Sequence, residues 1–477
     1  MKKLSLILAI VLPVVFAACS KDKGNDSGSI DPAPVLIETT SSASYSPSEL
    51  TSAIANSKYI KDYGGDDETV IQVLTNVFDL FSTSKFYKID TIYARQQNVS
   101  LLRYQRNWQI ETYTFTYNSV SSTGEPIVLS GRVTMPNTIG HVGHKVQSLS
   151  LYVHHYIDYD VAPTLVISPF MLRAFYNSAV IEPDLQGYGA SEGQPFCGLS
   201  LNAQAQQMAD CLKAAREVMQ QQGVTLADNG FTTLWGYSIS TPACVAFARL
   251  YEERMSHEEQ EAIRLKSIFA GGGPMLMDRF VQCLDVDPDF NASMARYIFT
   301  MLKAMPKNEF GGYELQDFMP EWMQTYIVNI GGQDYTYIDA LMLDLPGIDW
   351  MRPDEYTPKV LKNNFASDMV NAEGHLDYSS PKTQVIMDLF RRLTDWGDWM
   401  PQHDIYMVHA INDDHMPFQQ ANEFYELKKA SGHVFLRDLD VDLITQIREG
   451  STHSAATILG SAMIILYEDP AQAYNSK

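Results

Sequence analysis

The segment Phe231–Ser240, FTTLWGYSIS, runs from an apolar strand pattern directly into a Gly-x-Ser turn, and the helix pattern of Pro242–Glu253 follows it. At such a strand-to-helix turn the serine hydroxyl is lifted out of the sheet and lies at the N-terminus of the helix. Ser238 is therefore the candidate nucleophile, and the backbone N–H of Ile239 is a candidate donor to an oxyanion. Because Ser240 stands where this motif usually has a second glycine, the motif alone is a moderate signal.

Strand patterns alternate with helix patterns through much of the chain. A hairpin comes first, with strands over Gln109–Tyr117 and Ile127–Met135. The alternation after it predicts an α/β fold with a mainly parallel central sheet and helices on both faces. Buried strands are expected at Gln147–His154, Ala179–Pro183, Thr232–Gly236, Ser267–Ala270, Asp404–His409 and Val434–Leu436, and a long helix at Asn202–Gln221.

Residues 271–403 contain no convincing strand pattern and are far longer than an ordinary connection. They are rich in Met, Trp, Phe and Tyr, which are side chains that shape apolar pockets. The favoured interpretation is a helical cap inserted over the active edge of the sheet, and a helical subdomain that only adds stability is the alternative. The sheet domain is then divided into residues 108–270 and 404–477.

The N-terminus has the pattern of an export signal. Two lysines precede the apolar run Leu4–Ala18, which is too short to span a bilayer. Small residues before Cys19 resemble the lipobox of bacterial lipoproteins. The resemblance implies a signal peptide over residues 1–18, lipidation of Cys19 and an exported, lipid-anchored protein, with Ser20 favouring the outer membrane. An ordinary signal peptide with a chance cysteine is the alternative.

Two segments separate this signal from the sheet domain. Residues 19–44 have few large apolar side chains, so they cannot bury enough surface to fold. This composition predicts a flexible tether. Residues 45–107 predict a helical segment. Its first helix begins at Ser46, with Glu49 completing a capping box, and its second lies near Glu68–Phe81.

The charge balance excludes some classes of partner. Against 57 Asp and Glu the chain has 35 Lys and Arg, a net charge of −22. Such a charge argues against nucleic acid and anionic membrane surfaces as partners, so membrane contact is expected only through the lipid anchor. The remaining cysteines show no Cys-x-x-Cys spacing, so structural zinc is not expected and their pairing stays open: Cys197, Cys211, Cys244 and Cys283.

Further segments resemble the α/β-hydrolase superfamily, and more narrowly the secretory lipases and related esterases. The strand ending in His154 stands where this family often has a His-Gly turn that supplies the second oxyanion donor. The resemblance therefore implies that the backbone of His155 or Tyr156 has this role. Residues 182–191, EPDLQGYGAS, look like the family's Pro-Asp-x-x-Gly-x-Gly-x-Ser segment, in which Asp184 would be a structural anchor.

The acid and the base follow from the same resemblance. Residues 405–417, IYMVHAINDDHMP, are similar to the family's strand-His-Gly-x-x-Asp-x-x-Val-Pro motif, so Asp413 takes the acid position and Asp414 is the near alternative. His453, the only histidine after the last predicted strand, takes the position of the base. The order Ser238, Asp413, His453 is that of α/β-hydrolases.

The resemblance implies a serine hydrolase that cleaves carboxylic esters, an esterase or lipase, through an acyl-enzyme on Ser238. A small-molecule ester is the expected substrate and no cofactor is expected. A serine peptidase with the same triad is the first alternative, and a catalytically inactive surface binding protein with the same fold is the second. Metal catalysis is not expected, because the pair His154–His155 and the cluster Asp413–His415 lack a recognised ligand spacing.

Overall fold

A nine-stranded mixed sheet forms the centre of the computed structural model. The strands, numbered along the chain and with β8 and β9 outside this sheet, are β1 Leu36–Tyr45, β2 Ile110–Val120, β3 Pro126–Pro136, β4 His144–Val153, β5 Ser178–Pro183, β6 Val224–Tyr237, β7 Leu265–Gly271, β8 Ile327–Ile330, β9 Gln333–Thr336, β10 Asp404–His409 and β11 Val434–Asp438. Across the sheet the order is β1-β2-β3-β5-β4-β6-β7-β10-β11. The strands from β5 to β11 pair in parallel, and β1, β2 and β3 form an antiparallel edge.

The structure describes residues 35–57, 109–137, 144–154, 161–198, 200–286, 298–299, 302–303, 305–343, 365–439, 452–466 and 469–475. Within these ranges the α-helices, numbered along the chain, are α1 Pro47–Ala55, α2 Leu201–Gln221, α3 Thr241–Glu253, α4 His257–Ile263, α5 Met277–Val286, α6 Glu321–Thr325, α7 Tyr337–Met342, α8 Pro381–Leu393, α9 Phe418–Lys428, α10 Thr452–Leu466 and α11 Pro470–Asn475.

Two buried clusters lie on the two faces of the sheet. Leu234 and Trp235 are neighbours on β6, so their side chains point to opposite faces, and each belongs to a different cluster. Helices α2 and α3 contribute to the cluster of Leu234, whereas α1, α10 and α11 contribute to that of Trp235. The predicted fold class, a mainly parallel sheet with helices on both faces, is confirmed.

The first helix of the N-terminal segment begins where the sequence predicts. The Ser46 hydroxyl oxygen accepts a hydrogen bond from the Glu49 N–H at 3.3 Å, and the Glu49 carboxylate accepts one from the Ser46 N–H at 2.8 Å. This reciprocal pair is the predicted capping box. The second expected helix, Glu68–Phe81, lies outside the described residues.

The prediction of a flexible tether up to Ser44 is wrong for its last part. Leu36–Tyr45 forms strand β1, which pairs antiparallel with β2 at the edge of the sheet. Most of its side chains are exposed, and the Thr40 hydroxyl lies 2.8 Å from the Thr114 hydroxyl of β2. An edge strand gains backbone hydrogen bonds from its neighbour and needs little apolar burial, so composition alone could not reveal it.

The prediction that residues 271–403 contain no strand is also wrong. Strands β8 and β9 pair as a hairpin of their own, joined by Gly331 and Gly332. Both glycines have positive φ angles, 60° and 86°, as a tight two-residue hairpin turn requires. The remaining described elements of this stretch are helical or irregular. The interpretation of the stretch as a cap over the active edge stays a prediction.

Asp184 ties together the segment after β5. Its buried carboxylate accepts hydrogen bonds from the Ser130 hydroxyl at 2.6 Å and from the hydroxyl of Thr164. Burial raises the pKa of Asp184, and these hydrogen bonds offset the rise only in part, so the pKa is about 6. A Cβ on Gly189 would lie 2.1 Å from the Asp184 Oδ2, so the glycine is needed for this close packing. The anchoring role expected of Asp184 agrees with these contacts.

Candidate active site

Ser238 lies at the sharp turn between β6 and α3. β6 ends at Tyr237, α3 begins at Thr241, and Ser238 itself has a φ of 56°. This left-handed conformation costs a residue with a side chain roughly 1–3 kcal/mol and is held here by the strand and helix on either side. The turn therefore stores backbone strain at the candidate nucleophile, as the Gly-x-Ser motif predicts.

Ser240 replaces the second glycine of the motif without disturbing the turn. Its hydroxyl donates to the Tyr237 carbonyl at 2.8 Å and accepts from the Tyr237 N–H at 3.0 Å. At the first glycine there is no such room, because a Cβ on Gly236 would lie 2.8 Å from the Cys244 Sγ. Both hydrogen bonds of the Ser240 hydroxyl are made within the turn, so a serine fits where the motif usually has its second glycine.

The ring of Tyr237 fills a space that three glycines leave behind the nucleophile. The ring is fully buried, and a Cβ on Gly271 or on Gly460 would lie 2.2 Å from its Cδ2 atom. A Cβ on Gly272 would lie 2.7 Å from its hydroxyl oxygen. The glycines at the end of β7, directly after it and in the middle of α10 are therefore needed for packing against this one ring.

Replacing Gly460 by alanine is expected to lower the free energy of unfolding by about 1–3 kcal/mol, because the new methyl group overpacks a filled site. Denaturant unfolding of the two proteins measures the loss. In a Tyr237→Leu background the same change should cost much less, since the ring atoms it meets are gone. Equal losses in the two backgrounds would contradict the contact.

Ser238, His453 and Asp413 form one hydrogen-bonded row. The Ser238 Oγ lies 3.0 Å from the His453 Nε2, and the His453 Nδ1 lies 2.8 Å from the Asp413 Oδ2. His453 is in the first turn of α10, and Asp413 is on the loop that follows β10. The structure thus brings together the three side chains singled out in the sequence. In this row an imidazole can take the proton of the hydroxyl while a carboxylate holds its other nitrogen.

The loop after β10 holds the Asp413 carboxylate by its backbone. Asp413 Oδ1 accepts hydrogen bonds from the N–H groups of His415 at 2.9 Å and Met416 at 2.7 Å. Burial lowers the pKa of His409, and its Nε2 donates to the Met416 carbonyl at 2.7 Å. The loop therefore fixes Oδ1, which also lies 3.0 Å from the His453 Nδ1, and Oδ2 lies 2.8 Å from the same nitrogen.

The charges at the site favour an imidazolium–carboxylate pair. Burial acts to raise the pKa of Asp413, but His453 and the loop hydrogen bonds outweigh it and hold that pKa below its usual value. Burial acts to lower the pKa of His453, but the carboxylate of Asp413, helped by that of Asp414, raises it above 6.5. Such a site stabilises the positive charge that His453 takes on when it accepts a proton.

The acidic limb of kcat/KM is expected to have its midpoint above the ordinary histidine pKa of about 6.5. A histidine that takes the hydroxyl proton must be neutral in the free enzyme, so a reaction that uses His453 in this way is lost as the pH falls through its raised pKa. Because Asp414 contributes to that rise, Asp414→Asn should move the midpoint to lower pH. A pH–rate profile of both proteins measures this, and a midpoint that moves upward would contradict it.

Asp413, which the sequence assigns as the acid, and Asp414, its near alternative, have different positions. Asp413 contacts the imidazole, whereas Asp414 Oδ1 accepts the backbone N–H of His453 at 3.0 Å. The Thr452 hydroxyl, which accepts the N–H of Asp414 at 2.9 Å, completes this link between the loop and α10. Asp414 therefore supports the first turn of α10 and is not the partner of the ring.

Of the candidate oxyanion donors, Ile239 is described, and it directly follows Ser238 in the turn. His155 and Tyr156 lie outside the described residues, as does Cys19. His154, at the end of β4, is buried with its ring edge-on to Tyr188, the centroids being 4.6 Å apart. The assignment of the second donor to His155 or Tyr156 stays a prediction.

Gln420 is a buried residue of the site that sequence reasoning missed. From α9 its Nε2 donates to the Gly273 carbonyl at 2.8 Å, and its Oε1 accepts from the N–H groups of Met275 at 2.6 Å and Leu276 at 3.2 Å. It thereby fixes the start of the segment 271–403. In the sequence it is only a glutamine shortly after the loop that carries Asp413, and such a residue is too common to indicate a role.

Two clefts, with volumes of about 340 and 840 Å³, are lined in part by residues of the segment 271–403, but neither is lined by Ser238, Asp413 or His453. No helix in the described ranges is long and apolar enough to cross a membrane. Among the same residues no group of three or more His, Cys, Asp or Glu could hold a metal ion.

The four described cysteines are free, which answers the open question of their pairing: Cys197, Cys211, Cys244 and Cys283.

The order of the strands, the turn at Ser238, and the acid and base on chain segments after β10 and β11 define an α/β-hydrolase fold. Solved structures agree with this class. The rice cell wall degrading esterase LipA from Xanthomonas oryzae is similar with a TM-score of 0.51 and 18% identity, over 75% of this chain and 89% of that one. A ligand-bound form of the same esterase gives a TM-score of 0.54 and 17% identity, over 90% and 96% of the two chains.

A Legionella pneumophila protein with an inferred hydrolase assignment gives a TM-score of 0.55 and 16% identity, over 78% of this chain and 91% of that one. No family model matches the sequence, and no curated protein matches it. At these identities the likeness establishes the fold, and the activity has to be argued from the site itself.

Proposed function

We propose that this protein is a serine hydrolase that cleaves carboxylic esters through an acyl-enzyme on Ser238. The observation that carries the proposal is the row of hydrogen bonds from the Ser238 Oγ to the His453 Nε2, at 3.0 Å, and from the His453 Nδ1 to Asp413, at 2.8 Å. The strained turn at Ser238 adds to it, because it places a hydroxyl at the start of a helix.

In the proposed reaction His453 Nε2 takes the hydroxyl proton as Ser238 Oγ attacks the ester carbonyl carbon. The negative oxygen that forms would accept the N–H of Ile239, and the carboxylate of Asp413 stabilises the imidazolium. The intermediate collapses to an acyl-enzyme, and the leaving alcohol takes the proton from His453. Water then attacks the acyl group with the same base and releases the acid.

An ester is the favoured substrate because the similar structure from Xanthomonas oryzae is that of an esterase. The test is a panel of p-nitrophenyl esters of increasing acyl length, run beside aminoacyl p-nitroanilides. Ester turnover with anilide turnover at least tenfold lower supports the proposal. Comparable turnover of the anilides would favour a serine peptidase, and no turnover of either would favour a binding protein.

We also propose that the protein is exported and anchored to the outer membrane by a lipid on Cys19. The apolar run Leu4–Ala18 and the small residues before Cys19 support it. Metabolic labelling with an alkyne fatty acid should mark the wild type and not Cys19→Ser. Cys283→Ser, which removes a cysteine from the folded domain, should keep the label. Labelling of Cys19→Ser would overturn the anchor.

A further inference from the structure

Gly273 packs directly against the turn that carries Ser238. A Cβ on Gly273 would collide with the Ser238 carbonyl oxygen and with the side chain of Thr241, so the bare backbone of the glycine touches the turn. The same carbonyl oxygen accepts the N–H of Thr241, and the Thr241 hydroxyl donates to the Gly271 carbonyl at 2.5 Å. The chain from Gly271 to Gly273 is therefore the surface against which the nucleophile turn is packed.

Gln420 holds Gly273 by its carbonyl group. The Nε2 of this fully buried side chain donates to the Gly273 carbonyl at 2.8 Å. Its Oε1 accepts from the N–H groups of Met275 at 2.6 Å and Leu276 at 3.2 Å. All three contacts lie within residues 273–276, so one side chain fixes the backbone that packs against the nucleophile turn.

The helix that carries Gln420 is also joined to the loop of the acid. α9 begins at Phe418, whose ring lies edge-on to the ring of His409 with the centroids 5.7 Å apart. The His409 Nε2 donates to the Met416 carbonyl, and the Met416 N–H donates to Asp413. Gln420 therefore connects the part of the site that holds the acid with the part that holds the nucleophile.

We propose that Gln420 is a positioning residue, which acts through Gly273 on the place of Ser238 relative to His453. Ser238 has a strained φ of 56°, and a strained residue keeps its conformation only where its surroundings hold it. Without the glutamine the turn would relax, and the Ser238 Oγ would move from its place 3.0 Å from the His453 Nε2. The inference rests on the proposed function, because it assigns Ser238 as the nucleophile of that reaction.

The test is Gln420→Met in the full chain, which keeps the length of the side chain and removes its three hydrogen bonds. We expect kcat for p-nitrophenyl esters to fall roughly 10- to 100-fold, because a displacement of about 1 Å at the reacting atoms costs up to about 100-fold. KM should stay within about twofold of the wild-type value, since the contact between Ser238 and His453 serves the transition state. Labelling by a fluorophosphonate probe should slow by a factor similar to that in kcat.

Gln207→Met is the matched control. Gln207, on α2, is also fully buried and joins two backbone groups: its Nε2 donates to the Val120 carbonyl at 2.9 Å, and its Oε1 accepts the Gln186 N–H at 3.2 Å. Both substitutions leave buried polar groups without a partner, so both proteins should unfold at lower denaturant concentration. Only Gln420→Met should have a lower kcat. A wild-type kcat in Gln420→Met, or an equal fall in the two variants, would overturn the inference.

Gln420→Glu tests the contact with Gly273 even if the methionine variant does not fold. One oxygen of the new carboxyl group can accept the N–H groups of Met275 and Leu276 in either protonation state. The other can donate to the Gly273 carbonyl only while it carries a proton. The ratio of the variant's kcat to that of the wild type should therefore fall as the pH rises. A ratio near one across the pH range would contradict the role of Gln420.

The nitrogen-15 NMR signal of the His453 Nε2 separates this inference from the proposed function, because it reports the hydrogen bond with Ser238 without any substrate. In Gln420→Met the signal should move toward its position in Ser238→Ala, and in Gln207→Met it should not move. This shift would support the inference even if no ester were hydrolysed, whereas failure of all substrates would count against the proposed function alone. An unchanged His453 signal in Gln420→Met would overturn the inference.

Discussion

Alanine in place of Ser238 is expected to abolish ester turnover, with kcat lowered on the order of 10⁵- to 10⁶-fold. The hydroxyl that it removes is the atom 3.0 Å from the His453 Nε2 and the nucleophile of the proposed reaction. Without it no acyl-enzyme can form, and only binding and the oxyanion donors remain. A fluorophosphonate probe, which reacts with activated serines, should label the wild type and leave Ser238→Ala unlabelled.

Ser148→Ala is the matched control for this experiment. Ser148 is also a buried serine of the central sheet, but its hydroxyl donates to the Ser178 hydroxyl at 2.9 Å and makes no hydrogen bond to a histidine of the described ranges. This variant should keep both labelling and turnover. Labelling of Ser238→Ala equal to that of the wild type would show that another residue is the nucleophile.

The elbow and the triad order could be predicted from the sequence because they depend on local pattern and on topology. A strand that ends in Gly-x-Ser before a helix leaves few alternatives to a sharp turn at Ser238. In a parallel sheet the carboxyl ends of the strands meet at one edge, so Asp413 and His453, each following a strand, were expected there. The distances of 2.8–3.0 Å along the row agree with that reasoning.

Other features depend on partners that no local pattern reveals. Strand β1 forms because its backbone pairs with the edge strand β2. Its polar composition gives no sign of this pairing, and the segment was therefore wrongly predicted to be a tether. The hairpin of β8 and β9 has the signal of Gly331-Gly332, but its strands are too short for a clear alternation. Gln420 acts through hydrogen bonds to residues about 145 positions earlier in the chain, at Met275 and Gly273. Such contacts exist only once the cap and the sheet are folded.

Replacing Asp413 by asparagine is expected to lower kcat on the order of 10⁴-fold while the fold persists. Asp413 Oδ1 accepts two backbone N–H groups, from His415 at 2.9 Å and Met416 at 2.7 Å, so the amide oxygen of the new side chain must take that position. Its NH₂ group then faces the His453 Nδ1, where the Oδ2 lay at 2.8 Å. Because this NH₂ group has the closer contact with the His453 Nδ1, 2.8 Å against 3.0 Å for the Oδ1 position, it favours the tautomer in which Nδ1 accepts and Nε2 carries the proton. That Nε2 points at Ser238 and can no longer act as a base.

The pH profile of Asp413→Asn distinguishes this cause from simple disruption. The carboxylate of Asp413 opposes the effect of burial and raises the pKa of His453. Without it, the acidic limb of the remaining activity should therefore lie at lower pH than in the wild type. Asp404→Asn is the matched control, because it alters an equivalent carboxylate–imidazole pair, 2.8 Å from His433 Nδ1, at the start of β10. This variant should have a kcat within about twofold of the wild-type value, because an ion pair on the surface contributes little to stability. Equal losses in the two variants would mean that Asp413 is structural and that the base of the reaction is oriented by another group.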